Sequence, residues 1–262
     1  MNKIKSSLLV FSALLGSLVL TSCMGDGTNK MSRSAIFTVE KSGSSYTLYA
    51  DYGGVVRPSN VLELTDGKGF NNGDRVLLVY SYTDDNIKTE TGKGSYIDNA
   101  ELISGQPIPI NNILTREKAE ASKLLEKDSI FSFANNVTSL QLSVYRGYLT
   151  ASFNGRYSIV SGKGVYPSLN LVYDPAENER PNTLKLTAVY NRHTAADAQA
   201  GSQSFFISYP LTAFTGINGS EPVDIDGKDP IEIIVDGLGF TEPLKSKVER
   251  VDMTPGNYLY FQ

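Results

Sequence analysis

The chain has no tryptophan, one cysteine and one histidine, and each scarcity removes a class of chemistry. With Cys23 as the only thiol, no disulfide can form within one chain. With His193 as the only imidazole, a zinc site would lack the His and Cys partners that hold the metal. A Ser-His-Asp triad would have to be built around that one histidine, and no Gly-x-Ser-x-Gly elbow offers the nucleophile. His193 stands between Arg192 and Thr194 in a polar stretch and reads as a solvated or loop-bracing side chain. Lys and Arg number 24 against 28 Asp and Glu, with no basic cluster. Nucleic acid is therefore a poor partner, because phosphate neutralisation supplies most of that affinity. Gly67-Lys68-Gly69 and Gly92-Lys93-Gly94 are hairpin glycines without the spacing of a phosphate cradle. No cofactor is expected.

What the sequence does contain starts with its address. Asn2, Lys3 and Lys5 form a short basic start, Leu8 to Leu20 an apolar run too short to span a bilayer, and Leu20-Thr21-Ser22-Cys23 closes the segment. That order is a secretory signal. A Leu three places before a Cys, with small residues between, resembles a bacterial lipobox. The resemblance implies that residues 1–22 are removed, that Cys23 is diacylated on sulfur, and that its new amino group is acylated too. Each buried CH₂ contributes about 0.8 kcal/mol, so several chains make the attachment effectively permanent. Met24-Gly25-Asp26 carries no acid directly after Cys23, which is compatible with passage to the outer membrane. No dense acidic run marks it for the cell surface, so the periplasmic and surface faces both stay open. Residues 23–34 lack periodicity and read as a flexible tether.

Removing Lys3 and Lys5 with the signal leaves 22 basic residues against 28 acidic, a formal charge of −6 in place of −4. The remaining length suits one large all-β domain or two smaller ones. From Ala35 the hydrophobic period is two. Ala35, Phe37 and Val39 share one face, then Tyr46, Leu48, Ala50 and Tyr52 the next, with a turn between and Gly53-Gly54 after. Val61 to Leu64 reads as the start of another strand. Asp74 to Tyr82 is apolar on both sides and so calls for cover on both. Tyr96 to Ile103 is the last strand before the Pro107-Ile108-Pro109 stop. About five short strands in residues 35–110 fit a small barrel of the OB type.

Residues 111–127 hold a helix: Thr115 can cap it, Arg116 and Glu120 pair four apart, and Ala121, Leu124 and Leu125 form a narrow apolar face. In 128–262 the strand pattern returns. Leu140, Leu142 and Val144 lead through a tight Arg146-Gly147 turn into Leu149, Ala151 and Phe153. Strands follow around Leu171, Leu186, Ile207 and Ile233, and a hairpin across Pro255-Gly256 closes the chain. Six to eight strands, polar on one face, describe an antiparallel sandwich of immunoglobulin-like size. The fold class expected is thus all-β, an OB-like barrel and a β-sandwich joined by a short helix.

Five stretches together resemble the NigD-like family of envelope lipoproteins from Gram-negative anaerobes. They are the Leu-Thr-Ser-Cys lipobox, Gly-Asp-Arg-Val-Leu-Leu-Val-Tyr-Ser-Tyr at 73–82, Ile-Leu-Thr-Arg at 113–116, Arg-Gly-Tyr-Leu-Thr-Ala-Ser-Phe at 146–153, and Tyr-Asn-Arg-His at 190–193. The resemblance implies an OB-like domain followed by a β-sandwich, and its name hints at bacteriocin immunity without implying a biochemical activity. The chain departs from the family in lacking a tryptophan early in the second domain and in its long segment after Tyr209.

Four groups of residues are candidate sites. Asp224, Asp226 and Asp229 around Gly227 resemble part of a calcium loop, although the closing Glu and flanking helices of an EF-hand are missing, and Asp and Gly also make ordinary turns. Asp128-Ser129-Ile130 resembles an O-glycosylation acceptor of exported proteins, with Ser129 the acceptor. Tyr46, Tyr49, Tyr80 and Tyr82 could stack on sugar rings if exposed on the barrel, with a place in the core as the competing reading. Paired carboxylates for glycoside hydrolysis have no recognisable setting. The favoured function is a non-enzymatic, lipid-anchored interaction protein whose partner is an envelope protein, a bacteriocin or a glycan. An envelope enzyme acting on glycans and a structural adaptor for outer-membrane components are the alternatives.

Overall fold

The computed structural model describes residues 29–51, 53–91, 94–125, 137–177, 183–191, 199–211, 231–237 and 242–248. Cys23, Ser129, His193, Asp224, Asp226 and Asp229 lie outside the described residues, as does the hairpin expected across Pro255-Gly256.

Alternating apolar residues build the first unit. Strands β1 (Met31–Ser42), β2 (Ser45–Ala50), β3 (Val55–Pro58), β4 (Arg75–Tyr82) and β6 (Gly94–Pro107) close on one another in the order β1-β2-β3-β6-β4, with β5 (Ile87–Glu90) added to β6 as a hairpin. All contacts around the ring are antiparallel except β3 with β6, which is parallel. Closure leaves these five strands without a continuous free edge and encloses a core in which Phe37, Leu48, Val56 and Leu78 are all but inaccessible. The expected cover on both faces of β4 is present: five of its first six residues are buried, the exception being half-buried Val79. Close packing also explains a glycine. A Cβ at Gly105 would run into Leu78, the barrel residue facing it.

The third strand of the barrel is Val55–Pro58 and not the expected Val61–Leu64, and β5 has no counterpart among the expected strands. Val61–Leu64 is a single turn of helix, α1, between β3 and β4. Apolar residues at 61, 62 and 64 fit either period over so short a run, and the flanking side chains decide. The Asn60 amide donates to the Leu102 carbonyl at 2.9 Å and accepts from the Leu102 N–H at 2.8 Å, which fixes the start of the turn. The Thr65 hydroxyl donates back to the Val61 carbonyl at 2.8 Å and closes it. Only Val61 is then buried, while Leu62 is left exposed.

The second unit is a sandwich. One sheet holds β9 (Tyr148–Val160) between β13 (Gln199–Pro210) on one side and β8 (Val137–Tyr145) and β10 (Lys163–Val165) on the other. The other runs in the order β15 (Leu244–Val248), β14 (Ile231–Gly237), β12 (Thr183–Asn191), β11 (Ser168–Tyr173), β7 (Leu114–Thr115). Leu149, Ala151 and Phe153 of the first sheet pack against Leu169, Leu171, Leu184, Leu186 and Tyr190 of the second. Most neighbours are antiparallel, as alternation predicts, but β12 with β14 and β11 with β7 are parallel, a matter of connection that alternation does not encode. Helix α2 (Arg116–Ala121) begins at Thr115, whose hydroxyl accepts from the Lys118 N–H, and carries the expected Arg116–Glu120 pair at 2.7 Å. Its buried Ala119 seats the helix on Val172 and Val189 of the five-stranded sheet.

Candidate functional site

A half-enclosed groove of about 700 Å³ opens on the barrel where β2 and β3 part. One wall is the β1–β2 turn and the start of β2, with Ser44, Ser45 and Thr47; Gly43, at φ +60, allows that turn its left-handed step. The opposite wall is the end of β3 and the start of α1, from Arg57 to Glu63. Asp98 and Asn99 of β6 close one end, and Asn99 takes a left-handed conformation (φ +53) where the register of β6 shifts against β3. The Ser59 N–H and hydroxyl both donate to the Ala100 carbonyl, at 2.9 and 3.2 Å, so this wall is held by main chain and does not depend on a ligand.

The chemistry of the groove is that of hydroxyls and amides, with two carboxylates against one cation in its lining. Arg57 lies over the Tyr96 ring, 4.2 Å from its centroid, with the Glu90 carboxylate 3.9 Å away. Glu63 and Asp98 contribute two carboxylates. Among the described residues no group of three or more His, Cys, Asp or Glu is arranged to hold a metal ion. What this arrangement can do is hydrogen-bond an extended polar ligand.

None of the residues lining the groove belongs to a second feature, a buried polar cluster that sequence reasoning missed. Arg75, at the start of β4, is 1% exposed. Its guanidinium donates to both Asp51 carboxylate oxygens at 2.6 Å, to the Thr38 hydroxyl at 2.8 Å, to the Thr150 hydroxyl at 3.0 Å and through Nε to the Ser208 hydroxyl at 3.3 Å. These five bonds use all five donors of an arginine, and the Tyr148 ring lies 4.9 Å from the same group. Thr38, Asp51 and Arg75 belong to the barrel, Thr150 and Ser208 to the sandwich. Burial pushes the Asp51 carboxyl above its ordinary value, opposed by the Arg75 hydrogen bonds and charge and then by Arg146. Arg146 adds a second tie, donating to the Ala50 carbonyl at 3.2 Å and facing the Tyr49 ring. A charged residue opening the most apolar strand of the chain was the available signal, since a buried arginine must be paired.

The four tyrosines that are candidates for stacking, with the core as the competing reading, are separated by the fold, and all are buried. Tyr80 and Tyr82 stack on each other in the barrel core, centroids 5.9 Å apart, so neither offers a face to a ligand. Alternation along β4 carries both inward. Tyr49 donates its hydroxyl to Glu40 at 2.6 Å and its ring meets Arg146 from the sandwich. Tyr46 alone reaches the groove, 9% exposed, with Phe70 against it edge-on and the Lys41 ammonium 5.5 Å from its centroid.

No family model matches the chain, and no curated protein matches it. Solved structures do. A toxin-related protein candidate from Parabacteroides distasonis shares 16% identity at TM-score 0.55, over 85% of this chain and 97% of that one. A lipoprotein candidate from Bacteroides fragilis shares 14% at TM-score 0.50, over 84% and 98%. A NigD-like immunity protein from Bacteroides caccae matches more loosely, 16% identical at TM-score 0.46 over 84% and 94%. At these identities the first two likenesses show a common fold across nearly the whole of each chain.

Proposed function

We propose that the chain is a NigD-like, lipid-anchored protein of the cell envelope that binds a partner in the barrel groove and does not catalyse. Acyl chains at Cys23 tie it to the outer membrane, and the family hint of immunity fits a protein whose work is to engage another molecule. The observation that carries the reading is the groove itself: polar walls built by main-chain bonds, on the strand-2 and strand-3 side that OB barrels use for extended polymers. The lipobox resemblance supports the anchor. A shared fold with a lipoprotein candidate from Bacteroides fragilis is in keeping with it. A glycosidase would call for two carboxyls flanking the scissile bond, the acid among them held where burial keeps its proton. Glu63 and Asp98 lie in a groove open along one side, and Glu63 is exposed.

Two measurements test the reading. Labelling cells with an alkynyl fatty acid should mark the wild-type protein and leave Cys23→Ala unmarked and out of the membrane fraction; equal marking of both removes the anchor. Capture of the native lipoprotein's partner from envelope extracts, alongside a glycan array, should give binding that Ser44→Trp, which fills the groove, abolishes. Binding indifferent to that substitution would move the site elsewhere.

A further inference from the structure

The class of ligand can be narrowed from the way the groove is made. β2 and β3 pair at only two positions, Leu48 with Val56 and Tyr49 with Val55. Beyond Val56 the third strand turns away, and Arg57 and Pro58 pair instead with Asp98 and Ala100 of β6. Pro58 occupies the position that would oppose Tyr46 if the ladder continued, and it has no N–H to offer. β2 stays extended through Ser45, still paired with β1 along its other side. Ladder alternation then sets where its groups point. Val39 directs its N–H and C=O to Asp74 and Gly73, away from β2. Its partner Leu48 therefore faces β3, and so does Tyr46 two residues earlier. The main-chain N–H and C=O of Tyr46 point into the groove.

We propose, resting on the reading of the groove as the binding site, that its occupant is an extended polypeptide segment of neutral or basic composition, added as a short strand along Ser45–Thr47. Strand addition uses the main chain of a parted strand for affinity and the flanking walls for choice of side chains. The other polymers fit less well. A sugar needs an aromatic face, and the groove's aromatic residue, Tyr46, is buried, with its ring taken up by Phe70 and Lys41. A nucleic acid would bring phosphates against Glu63 and Asp98, with Arg57 already engaged by Tyr96 and Glu90. The same two carboxylates disfavour an acidic peptide.

The test pans a phage-displayed library of random linear peptides on the mature wild-type protein and measures the enriched sequences against Ser44→Trp and Pro58→Val. The first variant fills the groove from an exposed turn. The second restores the N–H that lets β2 and β3 close. Enriched peptides should be neutral or basic and should bind both variants about tenfold more weakly or worse, while both variants melt cooperatively. On binding, hydrogen exchange should slow at the Tyr46 amide and stay unchanged at Thr47, whose amide already faces β1. No enrichment, or peptides that bind all three proteins equally, overturns the proposal. If a glycan array then gives a hit that Ser44→Trp loses, the peptide is wrong and the groove stands; if neither polymer binds, the groove reading falls as well.

Discussion

Arg75 shows how a fully buried charge can be held in this molecule: every donor it owns has an acceptor, and its counter-ion is bidentate. Breaking such a pair costs more than the pair is worth, because the orphaned partner stays buried. Arg75→Met should therefore lower stability by about 3–5 kcal/mol, with Asp51→Leu in the same range. The double variant should recover a large part of that loss, and a denaturant cycle on the four proteins reads the coupling. Additive losses would contradict the geometry. Tyr80 makes a different demand. Burial first, then the neighbouring Tyr82, pushes its phenol up to about 12 from an ordinary 10, Arg33 opposing. A raised acid binds its proton more tightly folded than unfolded, so the stabilisation is complete below pH 10 and disappears as pH climbs towards 12. Alkaline titration of stability should fall less steeply through that window in Tyr80→Phe than in wild type.

At the scale of elements, turns carry the information that strands lack. Arg146 sits at φ 54 and Gly147 at φ 80, the pair of left-handed steps that joins β8 to β9 in register. An arginine is a strained choice there, and the bond from its Nε to the Ala50 carbonyl of the barrel offsets the strain. Arg146→Ala keeps the strain and loses the bond, so it should cost about 1–3 kcal/mol, and Arg146→Gly less. Equal losses would mean that the left-handed step carries no strain, and no loss in Arg146→Ala would mean that the bond to Ala50 contributes nothing. The same contrast governs what was readable beforehand. Strands β1, β2, β8, β9, β11 and β12 follow from a period of two because each has one face in a core, and β4 from an apolar run covered on both faces. The short α1 does not, since four residues cannot distinguish the two periods and only Asn60 and Thr65, through contacts with Leu102 and Val61, choose the helix.

For the whole molecule, the relation between the two units is the open thermodynamic question. Thr150 and Ser208 complete the Arg75 shell, and the Ser208 main chain bonds on both sides to Pro109 and Asn111 at 2.9 Å. A buried ion pair completed only by the neighbouring unit makes separate unfolding of the barrel expensive. Calorimetry of the mature wild-type protein should therefore show one cooperative transition. Arg75→Met should broaden or split it, and two resolved transitions in wild type would show that the cluster does not couple the units.

By itself the sequence determined the all-β class, the alternating strands of both cores, the cap and ion pair of α2, and the expectation of an acylated Cys23, because each depends on neighbours a few residues apart. Only the tertiary structure decided the rest. It buried Tyr49, which alternation turns away from the barrel core, against Arg146 of the sandwich, closed β3 onto β6 in parallel, and drew Thr38, Asp51, Arg75, Thr150 and Ser208 into one cluster from both units. It also parted β2 from β3 at Pro58 to open the groove. Contacts of that reach are set by ring closure and packing, and local periodicity carries no record of them.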